Sequence, residues 1–416
     1  MKSQSQTFDA IIVGAGPAGC TAAILLAQAG WSVALIEKHA FPRRKVCGEC
    51  IAATNLPLLD ALGVGDAFNA VAGPELRKAA LFVGERTLQA DLPPLRGSSH
   101  PWGRALGREH LDTLLLHRAS DVGAHLWQPW TVKQIERDNA QHVCHLLDVE
   151  TGATQQLSAP ILIAAHGSWE LDPAIEHARR PPKDSDLFAF KGTFRSTQMT
   201  PGVLPVLAFC GGYGGMVLGD HGLTTLAFCI RRDALRKARE RHPGMKAALA
   251  AQMHVQTECT GAREVMAGAK LDAPWLAVGP IQPGIRKAWR GLGHFAVGNV
   301  AGEAHPILGE GISMAMQSAW LLCERLLANP AGLRSPSPSA ERMESVGNDY
   351  AKHWHKAFAS RIRLAAIYAH LAMRPRRAAV LLPLLQQWPG LLTLGARAGG
   401  KVREVVQIPD ATAIQS

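Results

Sequence analysis

Three glycines set the first chemistry. Gly14, Gly16 and Gly19 form a GxGxxG turn after an apolar run at residues 8–13, and a stretch of helix formers follows until Gly30. Gly14 permits the tight turn, Gly16 lets a pyrophosphate approach the backbone, and Gly19 lets the helix close on a sheet. Ala18 lies in the same turn. The helix N-terminus adds free N–H groups and the positive end of its dipole. Residues 32–36 are a second short apolar strand, and Glu37 follows eighteen residues after Gly19. A carboxylate there accepts from a ribose 2′-OH and disfavours a 2′-phosphate. Strand, glycine turn, helix, strand and acid together are a βαβ unit that binds a dinucleotide.

A second glycine-rich segment decides which dinucleotide. Residues 295–320 read FAVGNVAGEAHPILGEGISMAMQSAW: a strand, a turn, then a long helix over 311–328. Gly298, Asn299, His305, Pro306, Gly309, Gly311 and Ile312 carry the turn. The pattern resembles the second FAD motif of the flavoprotein monooxygenase superfamily, which runs strand, Gly-Asp, His-Pro, GxG turn and helix. The resemblance implies FAD, held non-covalently, with backbone N–H groups of the turn at the flavin. Arg108 opens a segment resembling that family's Arg-x-x-(Leu/Phe)-Asp helix start, whose arginine lies near the pyrophosphate; Arg104 competes for the role. Two positions depart from the pattern. Asn299 replaces an acid, and His166-Gly167-Ser168 replaces the family's Asp-Gly. That acid serves NADPH as well as FAD, so direct reduction by NADPH is expected to be poor.

Residues 43–50, RRKVCGEC, resemble two branches of the superfamily. Geranylgeranyl-reductase-like enzymes carry a cysteine turn here, and flavin-dependent halogenases a Gly-Glu turn. The resemblance places Lys45, Cys47 and Gly48 at the flavin, with Cys47 a catalytic candidate beside basic Arg44 and Lys45. Lys78, thirty residues after Gly48, resembles the halogenase lysine in spacing. The halogenase Trp-x-Trp-x-Ile-Pro signature is absent. Tyr213, in the run GGYGG, is the candidate substrate-facing aromatic, and Asp220-His221 reads as a turn. Cys47-x-x-Cys50 lacks a second pair to complete four ligands, so no metal site is expected.

These residues need an α/β scaffold to hold them. The expected fold is a Rossmann-like FAD-binding domain (1–75, 100–175 and 275–345), an inserted β-sheet substrate domain (76–99 and 176–274) and a helical C-terminal region (346–416). A helical stretch is expected from residue 233 to about 252. With 416 residues, 47% of them apolar and 19% charged, the chain is globular rather than disordered. No signal peptide is read at the start, and no apolar run reaches the ~20 residues a spanning helix needs; the cytoplasm is the expected compartment. The eight scattered cysteines are no disulfide framework. Of the net charge of +10, residues 351–416 carry +8. Together with apolar Leu381, Leu382, Leu384, Leu385 and Trp388, that tail suits an acidic carrier protein or a peripheral membrane contact. No recognition motif supports nucleic acid.

The function expected is an FAD-dependent oxidoreductase of secondary metabolism acting on a small-molecule or carrier-protein-bound, bulky apolar substrate. Reduction or dehydrogenation of a carbon–carbon bond leads, then hydroxylation, then halogenation. A flavin-binding redox sensor or scaffold working through Cys47 and Cys50 is the non-enzyme alternative. The electron donor is NAD(P)H directly or a partner reductase.

Overall fold

A computed structural model describes residues 6–168, 181–328, 330, 332–334, 339–378, 382–388, 390–399 and 405–406. Ala10–Val13 is the centre of a five-stranded parallel sheet. The strand order is His294–Ala296, Ile161–Ala164, Ala10–Val13, Val33–Ile36 and His125–Trp127. Its strands read as unbroken apolar runs because both faces are covered. Ile12, Leu35 and Ile163 pack against the helices Pro17–Gln28, Arg108–Asp121 and Gly311–Ala328. Ile11, Ala34, Ile36 and Leu162 pack against a four-stranded sheet built largely from Trp130–Asp138, Gln141–Asp148 and Thr154–Ala159.

A separate seven-stranded sheet has the order Lys270–Ile281, Leu187–Arg195, Thr224–Arg231, Gly212–Leu218, Val203–Phe209, Lys78–Val83 and Arg86–Asp91. Lys270–Ile281 pairs with Leu187–Arg195, so the substrate sheet extends past the boundary expected at 275. One face is sealed by Ala247–Glu258 and Thr260–Val265 through Ala80, Phe82, Phe228, Val255 and Ala262. The helical stretch expected over 233–252 is made of two helices, Arg232–Arg241 and Ala247–Glu258. Pro243 and Gly244 break it, the glycine at φ +79°, where proline withholds a donor and glycine alone is unstrained.

The other face looks toward the nucleotide domain and the C-terminal helices. Ala340–Ala372, 33 residues long, bridges the two bodies. At its start Tyr350 Oη donates to Ala296 O across 2.8 Å, and at its end Ala369 and Met373 pack on Tyr213. Gly390–Ala398 then lays Leu392 beside Leu81 and Val83. The side chains of Leu381, Leu382, Leu384 and Leu385 lie outside the described residues, while Trp388 is exposed. No helix among the described residues is long and apolar enough to cross a membrane.

Candidate active site

The glycine turn after Ala10–Val13 makes a cradle. A Cβ on Gly19 would stand 1.8 Å from the Gly14 carbonyl oxygen, so only glycine lets this helix start so close to the strand. At Gly16 the space is open: a Cβ there would meet only the guanidinium nitrogens of Arg108 at 3.9 Å and Arg43 at 4.0 Å. A helix N-terminus and two guanidinium groups thus converge on one open position, which is what a pyrophosphate requires. Glu37 is buried at the end of Val33–Ile36. It accepts from Ala15 N and His39 N, each at 3.0 Å, and pairs with Arg43 at 3.2 Å.

Arg108 is fixed by a bidentate pair with buried Asp112, both bonds 2.7 Å, one helical turn away. Burial opposes its charge, but Asp112 outweighs it and raises the guanidinium pKa. Arg104, the competing arginine, holds no part of this cradle. Its guanidinium donates to the carbonyl oxygens of Gly73, Ala72 and Asn69, tying down the segment after Gly65–Val71. Asp112 is the acid of the Arg-x-x-(Leu/Phe)-Asp helix start read in the sequence, one helical turn after Arg108, whereas Arg43 was not singled out by sequence reasoning.

The second turn has the conformations its glycines permit. Gly298 and Gly309 sit at φ +59° and +63°, and Gly298 N donates to Ser318 Oγ over 2.7 Å. A Cβ on Gly311 or on Gly48 would meet nothing within 4 Å, so both edges are open to a ligand. The two departures from the family pattern face each other: Asn299 Nδ2 donates to Ser168 Oγ at 2.8 Å. Ile312 is buried where Gly311–Ala328 begins, and Pro306 opens a short 3-10 turn.

The loop 43–50 ties this cradle to the substrate sheet. Arg44 donates to Pro274 O at 2.9 Å, and Lys45 and Cys47 are half-buried along the loop. Cys47 Sγ accepts from Glu49 N at 3.3 Å and neighbours Arg108, whereas Cys50 is buried in a separate apolar cluster with Leu76 and Leu92. Glu49 has φ +60° and is buried. It accepts from Lys191 Nζ, from Thr225 Oγ1 at 2.5 Å and from Arg108 N at 3.0 Å. Lys191 is 1% exposed. Neither Glu49 nor Lys191 was visible as a pair, because 142 residues separate them.

Lys191 marks which face of the sheet looks at the cradle. In register with it across the strands stand Ala227, Gly215, Val206 and Leu81. These four are partly exposed while their strand neighbours are buried, so an apolar row opens toward the nucleotide domain. Lys78 is three residues from Leu81 and therefore on the opposite side. It shares its face with Ala80 and Phe82, which pack on the outer helices. The expected catalytic position of Lys78 is thus corrected: the strand reads KAALFV, and parity turns its lysine away.

Tyr213 is also corrected in role. It is 1% exposed, and its hydroxyl bonds His305 Nδ1 at 2.8 Å rather than facing open space. Burial, with the nearby charge of His370 adding to it, pushes the His305 pKa down to about 4. Burial likewise lowers His142 to about 4. A histidine with a folded pKa below its unfolded value of about 6.5 binds more protons when unfolded in the window between the two. Stability should therefore rise with pH from about 4 to 6.5. Thermal midpoints across that window should fall on acidification, and His305→Gln should flatten the slope; an unchanged slope would mean that His305 does not titrate in its bonded pocket.

Residues 7–176 match the FAD binding domain family. The chain carries an FAD-binding domain and is an FAD-dependent oxidoreductase-type enzyme. Its match to tryptophan 2-halogenase of Chondromyces crocatus is 27% identical and covers 84% of this chain and 67% of that protein. Menaquinone reductase of Mycolicibacterium smegmatis is 25% identical across 95% of this chain and 91% of its own. A peptidyl-carrier-protein-dependent relative, 1H-pyrrole-2-carbonyl-[peptidyl-carrier protein] chlorinase of Pseudomonas fluorescens, is 29% identical over 31% of this chain and 32% of its own. In fold, the flavoprotein resembles a flavin-dependent brominase, with TM-score 0.74, 17% identity, and 95% and 94% of the two chains covered. A geranylgeranyl bacteriochlorophyll reductase-like protein of Thermoplasma acidophilum gives TM-score 0.72 at 18% identity over 97% and 98%. The FAD-binding domain accounts for the cradle, and proteins of both branches suggested by residues 43–50 are among those this chain resembles.

Proposed function

We propose that this flavoprotein reduces a carbon–carbon double bond in a bulky apolar substrate. The observation that carries this reading is the row Leu81, Val206, Gly215 and Ala227. It is partly exposed and hydrocarbon-lined, with Leu392 against its Leu81 end, and it lies on the face that Lys191 and Tyr213 share. A Cβ on Gly215 would meet only the Pro205 carbonyl oxygen, so no side chain covers the row there. Such a floor suits a flat or chain-like hydrocarbon. The halogenase reading asks for the lysine at position 78 on this face, where Lys78 is on the other, and the lysine that is on this face, Lys191, is tied to Glu49. The near full-length match to a menaquinone reductase supports the same choice.

The reaction adds a hydride to one carbon and a proton to the other. FAD supplies the hydride when bound and reduced. Arg108, Arg43 and the Gly16 turn hold the pyrophosphate, Glu37 the ribose, and the Gly298–Gly311 turn the flavin edge. The apolar row orients the double bond and excludes water. Cys47, on the half-buried loop, is the residue we assign to hold the proton. Arg374, Arg376 and Arg397 are exposed beside Ile367, Leu371, Leu391 and Leu394, a surface suited to an acidic carrier delivering the substrate.

Product mass tests this. Menaquinone, whose isoprenoid chain offers double bonds, would be supplied free, and an unsaturated acyl chain supplied on a carrier protein. Electrons would come from NADPH, NADH or a reductase partner. The expected product, measured after air has returned any quinol to the quinone, carries two added hydrogens on its hydrocarbon chain, forms without oxygen, and forms much faster with the partner than with NADPH. Products that gain oxygen or halogen, and only in air, would overturn the reading in favour of a monooxygenase or halogenase. Fast flavin reduction by NADPH alone would contradict the donor assignment.

A further inference from the structure

The helix Arg108–Asp121 begins at Gly107, which has no side chain to cap it. Two carboxylates from elsewhere do so. Glu49 Oε1 accepts Arg108 N at 3.0 Å, and Asp220 Oδ1 accepts Gly107 N at 2.8 Å. Asp220 belongs to the turn between Gly212–Leu218 and Thr224–Arg231, so this contact joins the substrate sheet to the nucleotide domain. Asp220 is buried, and its second oxygen, Oδ2, is aimed at two histidines. His110 Nδ1 is 2.8 Å from it and His221 Nε2 is 3.9 Å from it. All three ligand atoms lie within 4.8 Å of one another. Among the described residues, no other three His, Cys, Asp or Glu side chains converge this closely. The imidazoles meet edge to face at 5.4 Å. His110 Nδ1 is shielded from solvent, yet its approach to Oδ2 does not have the alignment of a hydrogen bond.

We propose that His110, Asp220 and His221 bind a divalent transition-metal ion of the zinc class, clamping the helix that carries Arg108 to the substrate sheet. Two imidazoles and a carboxylate are a donor set for zinc-like ions, not for magnesium or calcium. Ligands about 2.0–2.2 Å from one ion in tetrahedral array stand roughly 3.3 Å apart, and the separations of 2.8 and 3.9 Å bracket that value. His221 is 64% exposed at its side chain and can rotate the remaining distance. The bond from Gly107 N to Oδ1 is the outer contact that aims Oδ2, as metal-ligating carboxylates usually need. A plain His110–Asp220 ion pair would use one imidazole and an aligned N–H; the geometry has two imidazoles and no such alignment. The fourth position is open to water. The proposal departs from the expectation of no metal, which rested on the absence of a second cysteine pair or histidine cluster along the chain. It is independent of the reaction chosen above, since the ligands touch neither the apolar row nor the Gly16 cradle.

The test uses tag-free, full-length, FAD-loaded protein stripped with a chelator and titrated calorimetrically with Zn²⁺, with Mg²⁺ as control. One Zn²⁺ per chain is expected, with a rise in thermal midpoint and no response to Mg²⁺. His110→Ala and His221→Ala should each weaken Zn²⁺ binding about 10-fold or more. Cys47→Ser should leave it unchanged. Both histidines are substantially exposed, so the variants should fold as the parent does, which circular dichroism checks. Absence of Zn²⁺ uptake by the parent, or equal Zn²⁺ affinity in the histidine variants, would overturn the proposal.

Discussion

Gly16→Val should leave the protein folded and empty of FAD. At this position a Cβ meets nothing nearer than 3.9 Å, so the apoprotein has room for the side chain. The same room, between the helix N-terminus and the guanidinium groups of Arg108 and Arg43, is where the pyrophosphate must pass. Valine removes the close approach to the backbone N–H groups and adds bulk at the phosphates. We expect FAD affinity to fall by at least about 100-fold, or roughly 2.7 kcal/mol. The FAD-to-protein ratio by absorbance, beside an unchanged far-ultraviolet circular dichroism spectrum, measures both halves. Occupancy near that of the parent would place the phosphates elsewhere. Gly14→Val would be a poorer experiment, because its Cβ would lie 2.7 Å from the Ala165 carbonyl oxygen and disturb the fold.

Lys191→Met should be the most damaging single change in the substrate sheet. It leaves Glu49 buried with its charge uncompensated, still held at φ +60° by the Thr225 and Arg108 bonds. Removing one partner of a buried ion pair costs about 3–5 kcal/mol. The loop 43–50 should loosen with it, so FAD affinity should fall as well as stability. Lys191→Met combined with Glu49→Gln should recover much of the loss, since no buried charge is then orphaned. Chemical denaturation of the parent, the two single variants and the double variant checks this. Additive losses would mean that the two side chains are not energetically coupled.

The cradle was legible because its signals are local. GxGxxG with Glu37, and the turn from Gly298 to Gly311, depend on backbone conformations that only glycine and proline favour, and these can be read in order along the chain. The Arg108–Asp112 pair was equally local, lying within one helical turn. What escaped was set by strand parity and distant pairing. The strand KAALFV is apolar on both faces, so nothing in it says whether Lys78 or Ala79 points at the nucleotide domain; the outer helices decide that through Ala80 and Phe82. Lys191 lies inside the run LFAFKGTFR, where a lysine reads as an exception until Glu49 arrives from the far end of the chain. Tyr213 was rightly noticed as unusual, yet its partner is His305 across 92 residues rather than open space. The histidines at 110 and 221 had no spacing to announce them, since the ligand set closes only when a helix start and a hairpin turn meet.

The most direct measurement of the central account is anaerobic stopped-flow mixing of photoreduced holoenzyme with an isoprenoid quinone. The row at Leu81, Val206, Gly215 and Ala227 predicts that flavin absorbance returns without oxygen, that the product keeps two added hydrogens on its isoprenoid chain after air has returned any quinol ring to the quinone, and that Gly215→Phe abolishes this step while retaining FAD. Flavin that stays reduced until oxygen is admitted, with Gly215→Phe behaving like the parent, would contradict the account.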